Sequence, residues 1–175
     1  KADTTGIGVV LAPRFLDGFT ASVDYWNVKI KDGIASVNGQ DVVNSCYNGT
    51  HPELCGNIER INGIIDRIRT GQQNVGVQVT RGIDVEASYR FNMSDVVSSW
   101  DGAVTLHDNA TFYLRNYQAN GIAPPSNRVG ENNGQSGPPW WRTTLTVSYQ
   151  LDPIAVQLTG RALSSGRLSS EYIEC

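Results

Sequence analysis

The sequence predicts an all-β fold: an antiparallel up-and-down run of about six strands, of the kind that makes a segment of a larger transmembrane β-barrel. Three observations carry this expectation. Six segments alternate apolar and polar side chains with period two, the spacing that sends successive residues to opposite faces of a sheet. The connections between them alternate short and long, which gathers the tight turns at one end of the sheet and the large loops at the other. Aromatic residues collect towards the strand ends, as amphipathic rings do where a bilayer meets water.

Composition agrees. The 175 residues include 18 Gly, 7 Tyr, 4 Trp and 4 Phe, which favours turns and strands over helices. The 14 Lys and Arg against 17 Asp and Glu give a net charge of -3, and the cations are scattered. No basic stripe exists for a phosphate backbone to follow, so no nucleic-acid partner is expected. No window approaches the roughly 18 uninterrupted apolar residues of a membrane helix. That says nothing against a barrel, whose strands turn half of their side chains to a polar lumen.

In chain order, Thr5 to Ala12 opens the series with Ile7, Val9 and Leu11 in phase. Phe19 to Lys31 begins with Phe19, Ala21, Val23 and Tyr25 opposed to Thr20, Ser22 and Asp24, then moves its apolar set to Trp26, Val28 and Ile30. A β-bulge near Tyr25 and Trp26, or a strand leaving an apolar slab, would shift the phase in this way. Arg81 to Phe91 is the clearest segment: Ile83, Val85, Ala87, Tyr89 and Phe91 oppose Asp84, Glu86, Ser88 and Arg90. Ala103 to Arg115 places Val104, Leu106, Ala110, Phe112 and Leu114 on one side, with Asp108 breaking the row. A carboxylate facing lipid is costly, so Asp108 is expected beyond the slab. Trp141 to Leu151 and Ile154 to Leu163 complete the set, the first with Leu145, Val147 and Tyr149 on its apolar side, the second with Ile154, Val156, Leu158 and Ala162.

The turns Pro13 to Gly18, Asn92 to Gly102 and around Leu151 to Pro153 are short, whereas Asp32 to Thr80 and Asn116 to Trp140 are long. Ser164 starts another open stretch. Within the first long connection, Gly39 to Asn48 reads as a short helical turn, and Cys46 and Cys55 bracket a segment holding Gly49, Pro52 and Gly56. A disulfide between them would stabilise by about 2 to 3 kcal/mol on the chain-entropy argument and fits an oxidising compartment; two free thiols are the alternative. A metal site is disfavoured, because only His51 and Glu53 lie nearby and their spacing is no zinc pattern. Cys175 is left over, with a partner beyond the chain as one outcome. The second long connection, Asn116 to Pro139, reads as a mobile surface loop, either in contact with a ligand or merely solvated.

The chemistry of an enzyme is thinly represented. There is no Gly-x-Ser-x-Gly elbow, phosphate loop, dinucleotide fingerprint or His-Glu-x-x-His zinc helix. His51 falls in a loop and His107 on a polar strand face, where a solvated side chain is the default. Asp84 and Glu86 share a face at i and i+2, a pairing that glycoside hydrolysis uses, with nothing else in support. Arg90, Arg115, Arg142 and Arg161 are better read as cross-strand partners of those carboxylates, a ladder of opposite charges. Three glycosylation sequons, at Asn48, Asn92 and Asn109, are read as accidental, since Asn109 lies inside a strand and Asn92 at a tight turn.

The stretch Thr80-Arg81-Gly82-Ile83-Asp84-Val85-Glu86-Ala87-Ser88-Tyr89 resembles a strand of the TonB-dependent outer-membrane receptors. Gly8-Val9-Val10-Leu11-Ala12-Pro13-Arg14-Phe15-Leu16-Asp17-Gly18 followed by Ser22 to Asp32 is similar to the hairpin two strands earlier in these barrels. Pro139-Trp140-Trp141-Arg142 and Leu158-Thr159-Gly160-Arg161 match later strands, in the family's order. The resemblance implies a large barrel in the bacterial outer membrane, closed around an N-terminal plug and importing scarce nutrients with energy relayed by TonB. On it, residues 1–175 are expected to be part of the barrel domain, with plug and closing strands outside, and with TonB acting through the missing N-terminal region. Asp84, Glu86, Arg90, Arg115, Arg142 and Arg161 would line the lumen or meet the plug, and the long loops would bind the ligand. Ferric siderophore is the default cargo, with oligosaccharide and cobalamin beside it, and no cofactor is implied. The second hypothesis is a secreted β-sandwich that binds carbohydrate, with Trp140 and Trp141 as its platform.

Overall fold

The computed structural model describes residues 1–132 and 137–168. Cys175 and its pairing lie outside the described residues. In chain order the strands are β1 (Ala2–Leu11), β2 (Phe19–Ser36), β3 (Ile58–Ile61), β4 (Ile64–Ile68), β5 (Gln72–Asn92), β6 (Ala103–Ala119), β7 (Ser126–Asn127), β8 (Trp141–Leu151) and β9 (Ile154–Leu163), with helix α1 (Gly39–Tyr47) between β2 and β3. The main sheet runs β1-β2-β5-β6-β8-β9, with β7 beside β6, and β3 pairs β4 in a separate hairpin. Each long strand lies next to its successor, as an up-and-down order requires. The chain divides into two units, one of residues 1–4, 28–80 and 116–127, the other of residues 5–27, 81–115 and 128–175.

The second unit holds a two-faced sheet whose sides are fixed by register. Residues directly opposite in an antiparallel pair share a face. Val104 pairs with Tyr149, Leu106 with Val147, Asp108 with Leu145 and Phe112 with Trp141. The same rows continue into β9, where Tyr149 meets Val156, Val147 meets Leu158 and Leu145 meets Gly160. The other face carries Thr105, His107, Asn109 and Thr111 of β6, then Arg142, Thr144, Thr146 and Ser148 of β8, then Gln157, Thr159 and Arg161 of β9. Towards β9 the apolar side chains are exposed, Leu158 at 69% and Leu145 at 44%, while Val104 of β6 is buried between its neighbours. A β-sandwich would bury this face against a second sheet; here it is the outward surface.

Asp108 sits in the middle of the apolar rows rather than beyond them. The Thr143 hydroxyl donates to its Oδ1 at 2.6 Å, so one carboxylate oxygen is satisfied on the face itself. Tyr149, at the other end of the same rows, donates its hydroxyl to the Asp101 carbonyl at 2.7 Å. Phe19, Tyr89 and Phe91 form an aromatic group at the short-turn end, with ring centroids 6.4 and 5.3 Å apart. Gly18, at φ +79, closes that end by lying against the Arg90 carbonyl, where a Cβ has no room.

The connection expected to be open between Asn116 and Pro139 is pinned at its far end. Gly130 N donates to Pro138 O at 2.8 Å, Asn132 N to Arg167 O at 3.0 Å and Trp140 N to Ser164 Oγ at 2.9 Å. Glu131 makes a parallel bridge to Arg167, and Val129 and Glu131 are 1% and 3% exposed. The stretch from Ser164 onward, also expected to be open, supplies two of these three hydrogen bonds. Trp140 packs over Gly130 while Trp141 joins the apolar row opposite Phe112, so the two rings do not form one platform.

The first unit contains the long connection that was expected to hold a short helical turn and a disulfide, and it holds both together with further strands. β2 continues past Lys31 to Ser36 and β5 starts at Gln72, well before Arg81. Between them Asn38 caps α1, its Oδ1 accepting from Asp41 N at 2.8 Å. A 3-10 helix spans Pro52–Asn57, and the Asn62-Gly63 turn, both at positive φ, folds β3 onto β4. Val37, Val42 and Leu54 form a small core closed by Ile58, Ile68 and Ile122. Cys46 and Cys55 are bonded, with Cα atoms 5.0 Å apart.

Candidate functional site

The polar face of the second unit carries a row of side chains across four neighbouring strands. Trp26 of β2 meets Tyr113 of β6 edge-on, centroids 6.1 Å apart at 83°. The strand between them is β5, and at the crossing it has Gly82: a Cβ there would stand 2.6 Å from Trp26 Cζ2 and 2.7 Å from the Phe112 carbonyl. Glycine lets the indole lie over the backbone of β5 and reach the next strand. Arg142 of β8 then places its guanidinium 5.6 Å from the Tyr113 ring centre, a cation over an aromatic face. The apolar Trp26 on a polar face is thus accounted for by what it packs against. Its Nε1 is buried with no hydrogen-bond partner among the described residues.

Asp84, Glu86 and Arg90 follow Gly82 along the same side of β5, at alternate positions. Glu86 meets His107 of β6 rather than an arginine, Nδ1 to Oε1 at 3.9 Å, both side chains about half exposed. Arg90 lies at the short-turn end, its backbone N bonded to Gly18 O at 2.9 Å, and it lines a shallow polar depression together with Asp101 and Gln150. Arg115 follows Tyr113 on the same side of β6. Arg161 of β9 stands opposite Thr144 and is exposed. Of the expected ladder, Arg142 is placed over an aromatic ring, and Glu86 meets a histidine. Trp26, Gly82 and Tyr113 were not among the expected site residues. The phase change at Trp26, with glycine inside the best strand, was the signal for them.

In the first unit the disulfide loop has its own electrostatics. His51 Nδ1 and Glu53 Oε1 are 2.9 Å apart at the start of the 3-10 helix. Backbone N–H donation at that helix start, and next the His51 contact, hold the Glu53 carboxyl below the ordinary carboxylate range. Arg69 pairs with Glu59 across the β3–β4 hairpin.

A meander with exposed aliphatic rows on one side, aromatic groups at the row ends and charges on the other side is the wall of an outer-membrane β-barrel. The chain belongs to the TonB dependent receptor-like, beta-barrel family, which matches residues 1–170. This is a family of bacterial outer-membrane transporters and receptors, not an enzyme family. No curated protein and no solved structure matches the chain.

Proposed function

We propose that residues 1–175 form a stretch of barrel wall in a receptor that takes up a ferric siderophore, with the polar face turned to the lumen. The row from Trp26 over Gly82 to Tyr113 and Arg142 is the observation that supports this reading. It sets a cation and two aromatic faces side by side near the start of β8, the end that follows a long connection. An iron chelate with aromatic, anionic groups fits such a surface: the rings stack, and the charge meets a guanidinium already positioned by Tyr113. Asp84, Glu86, Arg90, Arg115 and Arg161 would line the same lumen or face the plug, and uptake would draw on TonB.

Uptake of iron-55 carried by catecholate, hydroxamate and citrate chelators tests this in iron-starved cells carrying the intact receptor. Arg142→Gln and Tyr113→Ala should each weaken uptake of one chelate class about tenfold at unchanged receptor level. Absence of uptake for every chelate, with an oligosaccharide or cobalamin bound instead, would overturn the siderophore assignment.

A further inference from the structure

We propose that Asn62, at the tip of the β3–β4 hairpin, is a site of spontaneous modification, where the side-chain amide reacts with water to give aspartate and isoaspartate and thereby opens the hairpin. The chemistry belongs to an Asn-Gly pair. The main-chain nitrogen of the glycine attacks Cγ of the asparagine, a new C–N bond closes a five-membered succinimide, and ammonia leaves carrying the proton of that nitrogen. Water then opens the ring. Addition at Cγ gives an ordinary aspartate, and addition at the main-chain carbonyl gives isoaspartate, whose chain runs on through Cβ and Cγ. Glycine favours the first step because it has no Cβ to hinder the closing ring.

The sequence holds five such pairs, beginning at Asn38, Asn48, Asn62, Asn120 and Asn133. Asn133 lies outside the described residues, and the other four all belong to the first unit. Three of the four are held back by their hydrogen bonds. Asn38 caps α1, and its Oδ1 accepts from Asp41 N at 2.8 Å, which fixes the side chain over the helix start. Asn120 Oδ1 accepts from two main-chain donors, Ile122 N at 3.1 Å and Ala123 N at 2.8 Å. After Asn48 it is the attacking atom that is engaged, since Gly49 N donates to Cys46 O at 3.3 Å. Asn62 has neither restraint. It and Gly63 are exposed, and among the described residues no hydrogen bond reaches the Asn62 side chain or Gly63 N. Around Gly63 the space that a Cβ would take is open, whereas at Gly39 it is bounded by Ile68.

The consequence follows from the turn. Asn62 and Gly63, at φ +52 and +81, are the whole connection between the paired residues Ile61 and Ile64. A two-residue turn tolerates a change of side chain but not an added main-chain atom. Isoaspartate adds that atom and a carboxylate at the tip, so β3 and β4 part from the turn inward.

The test incubates the intact, folded receptor at neutral pH and body temperature and follows each pair by tryptic peptide mapping with mass spectrometry. Cleavage after Arg60 and Arg67 isolates Asn62 in a peptide of residues 61–67. Asn62 should convert about tenfold faster than Asn38, Asn48 and Asn120. In the receptor unfolded in urea the four should convert at similar rates, because the fold and not the dipeptide separates them. Folded-state conversion of any of the other three as fast as Asn62, or an unchanged Asn62, would overturn the site. Limited proteolysis reads the consequence: the aged receptor should be cut faster within residues 58–68 than the fresh one. Fresh Asn62→Asp, which carries the charge without the extra main-chain atom, should be cut as slowly as the fresh wild type. Equal cleavage of aged and fresh receptor, once isoaspartate has formed, would overturn the opening of the hairpin.

Discussion

Single residues set the local chemistry by what they leave out as much as by what they supply. Gly82 is the clearest case, because its missing side chain is the gap through which Trp26 reaches Tyr113. Gly82→Val should lower stability by about 1 to 3 kcal/mol, the usual cost of overpacking against atoms that cannot retreat. A urea titration of the intact barrel in lipid vesicles would measure it. Adding Trp26→Ala should recover part of the loss, and an additive double variant would show that the two do not meet. Glu53 illustrates the opposite device, a carboxylate supplied to waiting N–H groups. Its folded pKa lies below the unfolded value, so its contribution to loop stability is present above the ordinary carboxylate range and is lost as pH falls through the folded pKa. Carboxyl chemical shifts followed by NMR should show the low value, and His51→Ala should raise it only partly, because the backbone is the larger cause. A complete return to the ordinary value would refute that order.

At the scale of elements, the strands are specified by what surrounds each face. Val147 and Ser148 are neighbours on β8 but belong to opposite faces, through Leu106 and Leu158 on one side and Thr105 and Gln157 on the other. Val147→Arg should cost about 2 to 4 kcal/mol of folding free energy in a bilayer, and Ser148→Arg well under 1 kcal/mol. Equal costs, read from the same urea titration, would mean that the faces are not lipid and lumen. Asp108 shows how a polar residue is kept on the apolar side: the Thr143 hydroxyl occupies one of its oxygens. The α1 region is held differently, by a three-residue core and a covalent link. Cys55→Ser should loosen it by about 2 to 3 kcal/mol on the chain-entropy model. Faster proteolysis confined to residues 37–68, with the barrel strands unaffected, is the expected outcome.

At the scale of the whole molecule, the exposed aliphatic rows and the edges β1 and β9, exposed along their full lengths, decide behaviour. Residues 1–175 expressed alone should aggregate in detergent-free buffer, because unpaired edges and a lipid-facing surface seek partners. A monodisperse solution by light scattering would contradict this. Period-two alternation determined β8 and β9 to the residue, because one face is mainly apolar and the other mainly polar, with Thr143, Ala155 and Leu163 as the exceptions. β2, β5 and β6 were legible only in part. Their far portions lose the alternation once the face is no longer apolar, and backbone pairing alone carries them on. The β3–β4 hairpin is legible in Asn62-Gly63 between isoleucines, a strong turn signal set inside a long connection. The sequence by itself determined the two-faced strands, the order of turns and loops, and hence the barrel class, since these follow from local periodicity. Only the tertiary structure decided which side chains meet across strands. Trp26 with Tyr113, Arg142 over that ring, Glu86 with His107 and Thr143 with Asp108 are set by register, which distant segments fix together and no local window contains.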